Sequence, residues 1–216
     1  MLSLPADPPS DTQVKFEYPG QVYAMRGFIG VWSLGIDDLV YKLNTGYVIH
    51  ATVLPDYMGD SVGDQIKDAW REGKLSEPLI LVGHSWGADD QVRAARELNK
   101  YGIPVTLLLL LDPVTPPEVP PNVGRCICIY KSHPDTDFIP VWRGVPVVAE
   151  DPQKTWLTDI NLRTADVGFD TTPITHVNIV KNPNILQMEV TVIKQTCAAW
   201  QVWHAAEAPN SPATTQ

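Results

Sequence analysis

Short apolar segments of strand length recur six times along the chain, and longer stretches with a different spacing separate them. The six segments are QVYAMRGFIG, YVIHATVLP, PLILVG, PVTLLLLLD, GRCICIYKS and TWLTDINL. The unbroken leucines of PVTLLLLLD are typical of a parallel strand that is covered on both faces. The pattern therefore predicts about six strands in one sheet.

The intervening stretches have apolar residues three or four positions apart, as on the buried face of a helix. GIDDLVYKLNTGY, DSVGDQIKDAWREGK, ADDQVRAARELNKYG and a last segment from Pro183 to Ala205 fit this spacing. In the second of these helices, Ile66, Ala69 and Trp70 are predicted to point inward. Alternating strands and helices predict an α/β fold with a predominantly parallel sheet flanked by helices.

The chain of 216 residues has the length of one domain, which we expect over residues 1–205. Residues 1–12 are rich in Pro and Asp and are expected to be loose. The small, polar residues 206–216 are expected to form a disordered tail.

Composition narrows the classes of function. The net charge of −9 and the lack of a basic run argue against nucleic-acid binding. No signal peptide is recognisable, and the longest apolar run, Val105 to Leu111, is too short to cross a bilayer. The three cysteines, Cys126, Cys128 and Cys197, are predicted to be buried free thiols. Together these features favour a cytoplasmic protein.

The candidate chemistry centres on LILVGHSWGADDQ, residues 79–91, where an apolar strand meets a helix. Gly83 and Gly87 flank Ser85 at two positions on either side. Glycines relieve the crowding of a sharp strand-to-helix turn, which exposes the serine hydroxyl at a helix N-terminus. This G-x-S-x-G pattern predicts a nucleophile elbow. The alternative is a serine that only caps the following helix.

A nucleophilic serine needs a histidine as its base and an acid to orient that histidine. Of five histidines, His176 lies in a loop after the sixth predicted strand and just before the last helix. In an α/β architecture with such an elbow, the residues follow one another along the chain in the order serine, acid, histidine. His176 is therefore the predicted base.

Candidates for the acid that orients His176 follow two of the predicted strands. Asp112 follows the leucine run, and Asp135 and Asp137 follow the fifth strand. Asp112 is preferred, because a carboxylate delivered by a buried strand needs a partner, and Asp137 is the alternative. His133, Asp135 and Asp137 also admit an interpretation as metal ligands, but we expect no metal and no cofactor.

At these motifs the sequence resembles the α/β-hydrolase superfamily. GHSWGADDQVRAARELNKYGIPVTLLLLLDPVTPP is similar to the thioesterase-type branch, which includes the releasing thioesterase domains of polyketide and peptide synthases. The resemblance implies a triad of Ser85, Asp112 and His176. The start RGFIGVWSLGID is also similar to compact lipase-like proteins of bacteria and their viruses.

The elbow geometry also predicts an oxyanion hole. Its first donor would be the backbone N–H of Trp86, the residue after the nucleophile. Its second would be the backbone N–H of Phe28, which follows Gly27 in the loop after the first strand.

The resulting prediction is a serine hydrolase that cleaves carboxylic esters or thioesters of a small molecule through an acyl-enzyme. An acyltransferase with the same triad, or a non-catalytic binding module on a hydrolase fold, are the alternatives. The sequence indicates neither the acyl group nor the oligomeric state.

Overall fold

A computed structural model describes residues 18–27, 34–54, 59–135, 137–139 and 143–207. Six strands form a single sheet in which every pairing is parallel. They are β1 (Gln21–Met25), β2 (His50–Leu54), β3 (Leu79–His84), β4 (Val105–Leu111), β5 (Val123–Tyr130) and β6 (Trp156–Asn161). The predicted α/β fold with about six parallel strands is confirmed.

Four α-helices accompany the sheet: α1 (Gly35–Gly46), α2 (Gly59–Arg71), α3 (Trp86–Asn99) and α4 (Pro183–Glu207). A short 3-10 helix (Ile179–Lys181) precedes α4. Helix α4 extends two residues beyond its predicted end at Ala205. Within the part of the chain that the structure describes, no helix is long and apolar enough to cross a membrane.

The strand order is β2-β1-β3-β4-β5-β6. The chain moves from β1 to one side to form β2, and then returns past β1 to form β3 on its other side. Such a reversal leaves a crevice beyond the carboxyl ends of β1 and β3, where parallel sheets bind their ligands. The predicted elbow follows β3 and therefore lies at this crevice.

The leucine run of β4 divides its side chains between two cores. Leu107, Leu109 and Leu111 pack on the face covered by α1 and α4. Leu108 and Leu110 pack on the opposite face, which α2 and α3 cover. Because successive strand residues point to opposite faces, a strand between two helical layers is apolar throughout.

Two further predictions about buried residues have different outcomes. Cys126, Cys128 and Cys197 are free and buried, as predicted. The inward orientation of Trp70 is wrong, since more than a third of its surface is exposed. Helix α2 instead approaches α3 through Gly63, where a Cβ atom would lie 2.7 Å from the Cβ of Glu97.

Candidate active site

Ser85 lies at a sharp turn between β3 and α3. Its φ of 58° and ψ of −128° are unusual for a residue with a side chain, and strain of this kind is concentrated at functional sites. Its N–H donates to the carbonyl of Leu111 at 2.9 Å, which continues the β3–β4 ladder by one residue. The turn therefore fixes Ser85 to the carboxyl end of the sheet.

The two flanking glycines permit this turn. A Cβ atom on Gly83 would lie 2.4 Å from the carbonyl oxygen of Gly87, and a Cβ on Gly87 would lie 2.2 Å from the carbonyl oxygen of Arg26. Real Cβ atoms do not come so close to backbone atoms. The second contact also shows that the chain leaving β1 lies directly against the start of α3.

The hydroxyl of Ser85 faces His176. Its Oγ lies 2.8 Å from His176 Nε2, and both residues are buried. It makes no capping hydrogen bond to α3, every residue of which is described. The alternative in which Ser85 serves as a helix cap is therefore wrong.

The other ring nitrogen of His176 faces Asp112. His176 Nδ1 and Asp112 Oδ2 are 3.4 Å apart, longer than a good hydrogen bond. Neither atom has a hydrogen-bond partner elsewhere among the described residues. Hydrogen bonds of this kind are often long in unliganded sites and tighten when substrate binds. When the Ser85 hydroxyl donates its hydrogen bond to His176 Nε2, that nitrogen carries no proton. The proton of the neutral imidazole is then on Nδ1, which faces the Asp112 carboxylate.

Asp112 is completely buried at the end of β4 and has a φ of 45°. Its Oδ1 accepts a hydrogen bond from the backbone N–H of Lys131 at 2.7 Å. Gly144 packs against the same oxygen, since a Cβ atom there would lie 2.0 Å from it. The carboxylate is thus held on one oxygen and presents the other to His176.

The alternative acid, Asp137, has a local role. Both of its carboxylate oxygens accept hydrogen bonds from the N–H of His133, at 2.9 and 3.0 Å, and its own N–H donates back to the His133 carbonyl. Of the two candidates, Asp112 faces His176. Across the described residues, no group of three or more His, Cys, Asp or Glu is arranged to hold a metal ion.

His84, the residue before the serine, fixes the backbone of His176. Its Nε2 lies 2.9 Å from the His176 carbonyl oxygen, and a carbonyl can only accept, so Nε2 donates. Burial, with a smaller contribution from His176, lowers the pKa of His84 to about 3. His84 therefore remains neutral over the pH range in which most proteins are folded.

Asp89, in the first turn of α3, is a residue that the sequence analysis missed. Its carboxylate accepts hydrogen bonds from the backbone N–H groups of Val114 and Thr115, at 2.9 and 2.8 Å, and one from the Thr115 hydroxyl. Burial raises the pKa of this carboxyl, and these hydrogen bonds oppose the rise. Asp89 ties the segment after Asp112 to α3, the helix that begins directly after Ser85.

Of the two residues predicted to form an oxyanion hole, only Trp86 lies in the part of the chain that the structure describes. Trp86 is the first residue of α3, so its N–H stands at the positive end of the helix dipole, beside Ser85. Phe28 lies outside the described residues, and its assignment stays a prediction. Arg26, two residues earlier, is held by hydrogen bonds from its guanidinium to the carboxylate of Asp37.

Comparisons with known proteins show the fold. The structure of RedJ, a thioesterase from the prodiginine biosynthetic pathway in Streptomyces coelicolor, superposes with a TM-score of 0.50 at 12% identity, covering 89% of this chain and 95% of RedJ. The NocB thioesterase domain from the nocardicin cluster gives 0.49 at 14% identity, covering 82% of this chain and 93% of that domain. No protein-family model matches the sequence, and neither does any curated protein. At this identity the superposition on RedJ shows the fold alone, and that fold is the one that the sequence resemblance predicted.

Proposed function

We propose that this protein is a serine hydrolase that cleaves carboxylic esters or thioesters through an acyl-enzyme on Ser85. The observation that carries the proposal is the 2.8 Å contact between Ser85 Oγ and His176 Nε2 at a strained strand-to-helix turn. A serine becomes a strong nucleophile when a base lies within hydrogen-bond reach of its hydroxyl. The α/β-hydrolase fold supports the same assignment. So does the approach of His176 Nδ1 to Asp112 Oδ2, two buried atoms with no other hydrogen-bond partner among the described residues.

In the proposed first half-reaction, Ser85 Oγ bonds to the substrate carbonyl carbon while its proton passes to His176 Nε2. The resulting oxyanion is stabilised by the N–H of Trp86 and by the second donor predicted at Phe28. His176 then gives this proton to the alkoxide or thiolate of the substrate as the bond between that oxygen or sulfur and the acyl carbon breaks. Asp112 orients the ring and stabilises its cationic form.

In the second half-reaction, His176 takes a proton from water as the water oxygen attacks the acyl carbon. The ester bond to Ser85 breaks, the carboxylic acid leaves, and Ser85 Oγ regains its proton. Replacement of water by another alcohol or amine would make the same site an acyltransferase, so the accepting molecule must be determined by product analysis.

A fluorophosphonate probe tests the proposal, because an activated serine displaces fluoride from phosphorus and retains the phosphonyl group. We expect one adduct per chain, on the peptide that contains Ser85, and none in Ser85→Ala. The same variant should lose nearly all hydrolysis of p-nitrophenyl acetate and of a small acyl thioester.

Ser132→Ala is the matched control. Ser132 also follows a strand at the carboxyl end of the sheet, but its hydroxyl accepts a hydrogen bond from Asn161 Nδ2 at 2.9 Å. This variant should react with the probe as the unmodified protein does. Labelling that persists in Ser85→Ala, or a folded unmodified protein that resists the probe, would overturn the proposal and favour a binding module.

A further inference from the structure

His176 belongs to a long irregular connection. Residues 162–178 join β6 to the 3-10 helix without a strand or an α-helix between them. A base on such a segment must nevertheless stay within a few tenths of an ångström of its working position. The structure must therefore contain anchors that join this loop to the rigid sheet.

Lys131, the first residue after β5, provides three of these anchors. Its Nζ donates hydrogen bonds to the carbonyl oxygens of Thr171, Thr172 and Ile174, at 2.7, 3.0 and 2.8 Å. A lysine ammonium has three N–H bonds, and here each of them has a backbone acceptor. The last of the three carbonyls is two residues before His176.

The backbone of the same residue holds the acid. The N–H of Lys131 donates to Asp112 Oδ1, while Asp112 Oδ2 faces His176. Asp112 and Lys131 are neighbours because each is the first residue after its strand, and the paired register of β4 and β5 runs to Leu111 opposite Ile129. One residue therefore contacts both the carboxylate and the loop that carries the imidazole.

Stability alone would not select this arrangement. The Lys131 side chain donates only to carbonyl oxygens, and burial lowers the pKa of its ammonium while Asp112 and Asp170 oppose that change. Burial of a cation without a directly bonded carboxylate is costly, and an apolar side chain would fill the same space at less cost. What an apolar residue could not supply is a fixed distance between the sheet and three backbone carbonyls that lie within four residues of one another.

We propose that Lys131 is a positioning residue that sets the distance between Asp112 and His176 by joining the carboxyl end of β5 to residues 171–174. The inference rests on the proposed hydrolase function. Lys131 touches neither the substrate carbonyl nor the transferred proton in this scheme. It acts through the two residues whose geometry it fixes.

The test compares Lys131→Met with the unmodified protein, using the ester substrate and normalising rates to the fraction of chains that the fluorophosphonate titrates. We expect kcat per titrated site to fall by about 10- to 100-fold, with KM changed by less than about threefold, the cost of a misplaced catalytic group. A merely destabilised protein would have fewer titratable sites but normal kinetics at each one.

Lys67→Met is the matched control. The Lys67 side chain is also largely covered, and its ammonium bonds to Asp64 on α2 and lies over the ring of Tyr101, away from the site. This variant should keep the kcat per titrated site and the KM of the unmodified protein.

Lys131→Arg keeps the positive charge, but its planar guanidinium cannot direct three N–H bonds from a single nitrogen. We expect an intermediate loss, and this variant decides the question by the same two readouts if Lys131→Met does not fold. An unchanged kcat per titrated site in the folded variants would overturn the role of Lys131. If the unmodified protein itself neither reacts with the probe nor hydrolyses the ester, the failure belongs to the proposed function.

Discussion

Asp112 combines constraints that few residues tolerate together. It is fully buried, adopts a φ of 45°, and has one carboxylate oxygen bonded and packed while the other faces an imidazole. A positive φ is least unfavourable for Asp, Asn and Gly, and of these only Asp supplies a charge. The position therefore fits an acid that orients a histidine better than it fits any packing role.

Substitution of the two candidate acids separates them. Asp112→Asn should reduce kcat by a factor on the order of 10⁴, because the amide favours the wrong tautomer of His176. Asp137→Asn should change kcat by less than about threefold, since Asp137 serves the turn at His133. Steady-state kinetics of the two variants decide the matter. A larger loss in Asp137→Asn would reassign the acid to the strand end after β5.

The site residues could be predicted from the sequence to different degrees, and best where the signal is local. Gly83, Ser85 and Gly87 form a compact motif between a strand and a helix, so the sequence predicts a nucleophile elbow at Ser85. Asp112 and Asp137 both follow strands, and the sequence alone leaves the choice open. Only the three-dimensional structure shows that the Asp137 carboxylate turns back onto the backbone of His133.

At the scale of elements, the periodicity predicts the strands and helices because burial imposes it. It does not predict contacts between elements far apart in the chain. Asp89 bonds to a segment 25 and 26 residues away, and Lys131 to carbonyls 40, 41 and 43 residues away. Each looks like an ordinary charged residue in the sequence. The error at Trp70 has a similar origin, since the approach of α2 to α3 decides which face is buried.

The link between α3 and the end of β4 can be tested through Asp89. Asp89→Ala leaves the N–H groups of Val114 and Thr115 without their acceptor in a buried region. We expect the free energy of unfolding to fall by about 2–3 kcal/mol, the usual cost of breaking hydrogen bonds to a buried charge. We also expect a loss of kcat, because the segment after Asp112 is released. Urea denaturation and ester kinetics measure the two effects.

The adjacent residue is the control for Asp89. Asp90 pairs with Arg93 at 2.7 Å on the surface of the same helix. Such exposed pairs contribute at most about 1 kcal/mol, so Asp90→Ala should affect stability little and kcat not at all. Equal effects of the two substitutions would show that Asp89 contributes only through the charge at the start of α3.

At the scale of the whole molecule, the sheet and the helices on its two faces enclose Glu189, an acidic residue that the proposed reaction does not use. Glu189 on α4 is 1% exposed, and its Oε1 has no hydrogen-bond partner among the described residues. Its helical neighbours four residues away, Ile185 and Ile193, belong to the core beneath α4. Burial raises the pKa of this carboxyl from 4.5 to about 8.

The raised pKa of Glu189 makes folding depend on pH in a defined direction. Between about pH 4.5 and 8 the unfolded chain has lost this proton while the folded chain keeps it. The contribution of Glu189 to stability is therefore fully present below the lower value and is lost as the pH rises towards the upper one, by at most about 1.4 kcal/mol per pH unit. Glu189→Gln removes this titration, so the variant should gain stability over the unmodified protein progressively from pH 5 to 8. Urea denaturation of the two proteins at several pH values gives this difference. A difference that stays constant with pH would show that the Glu189 carboxyl is ionised in the folded protein.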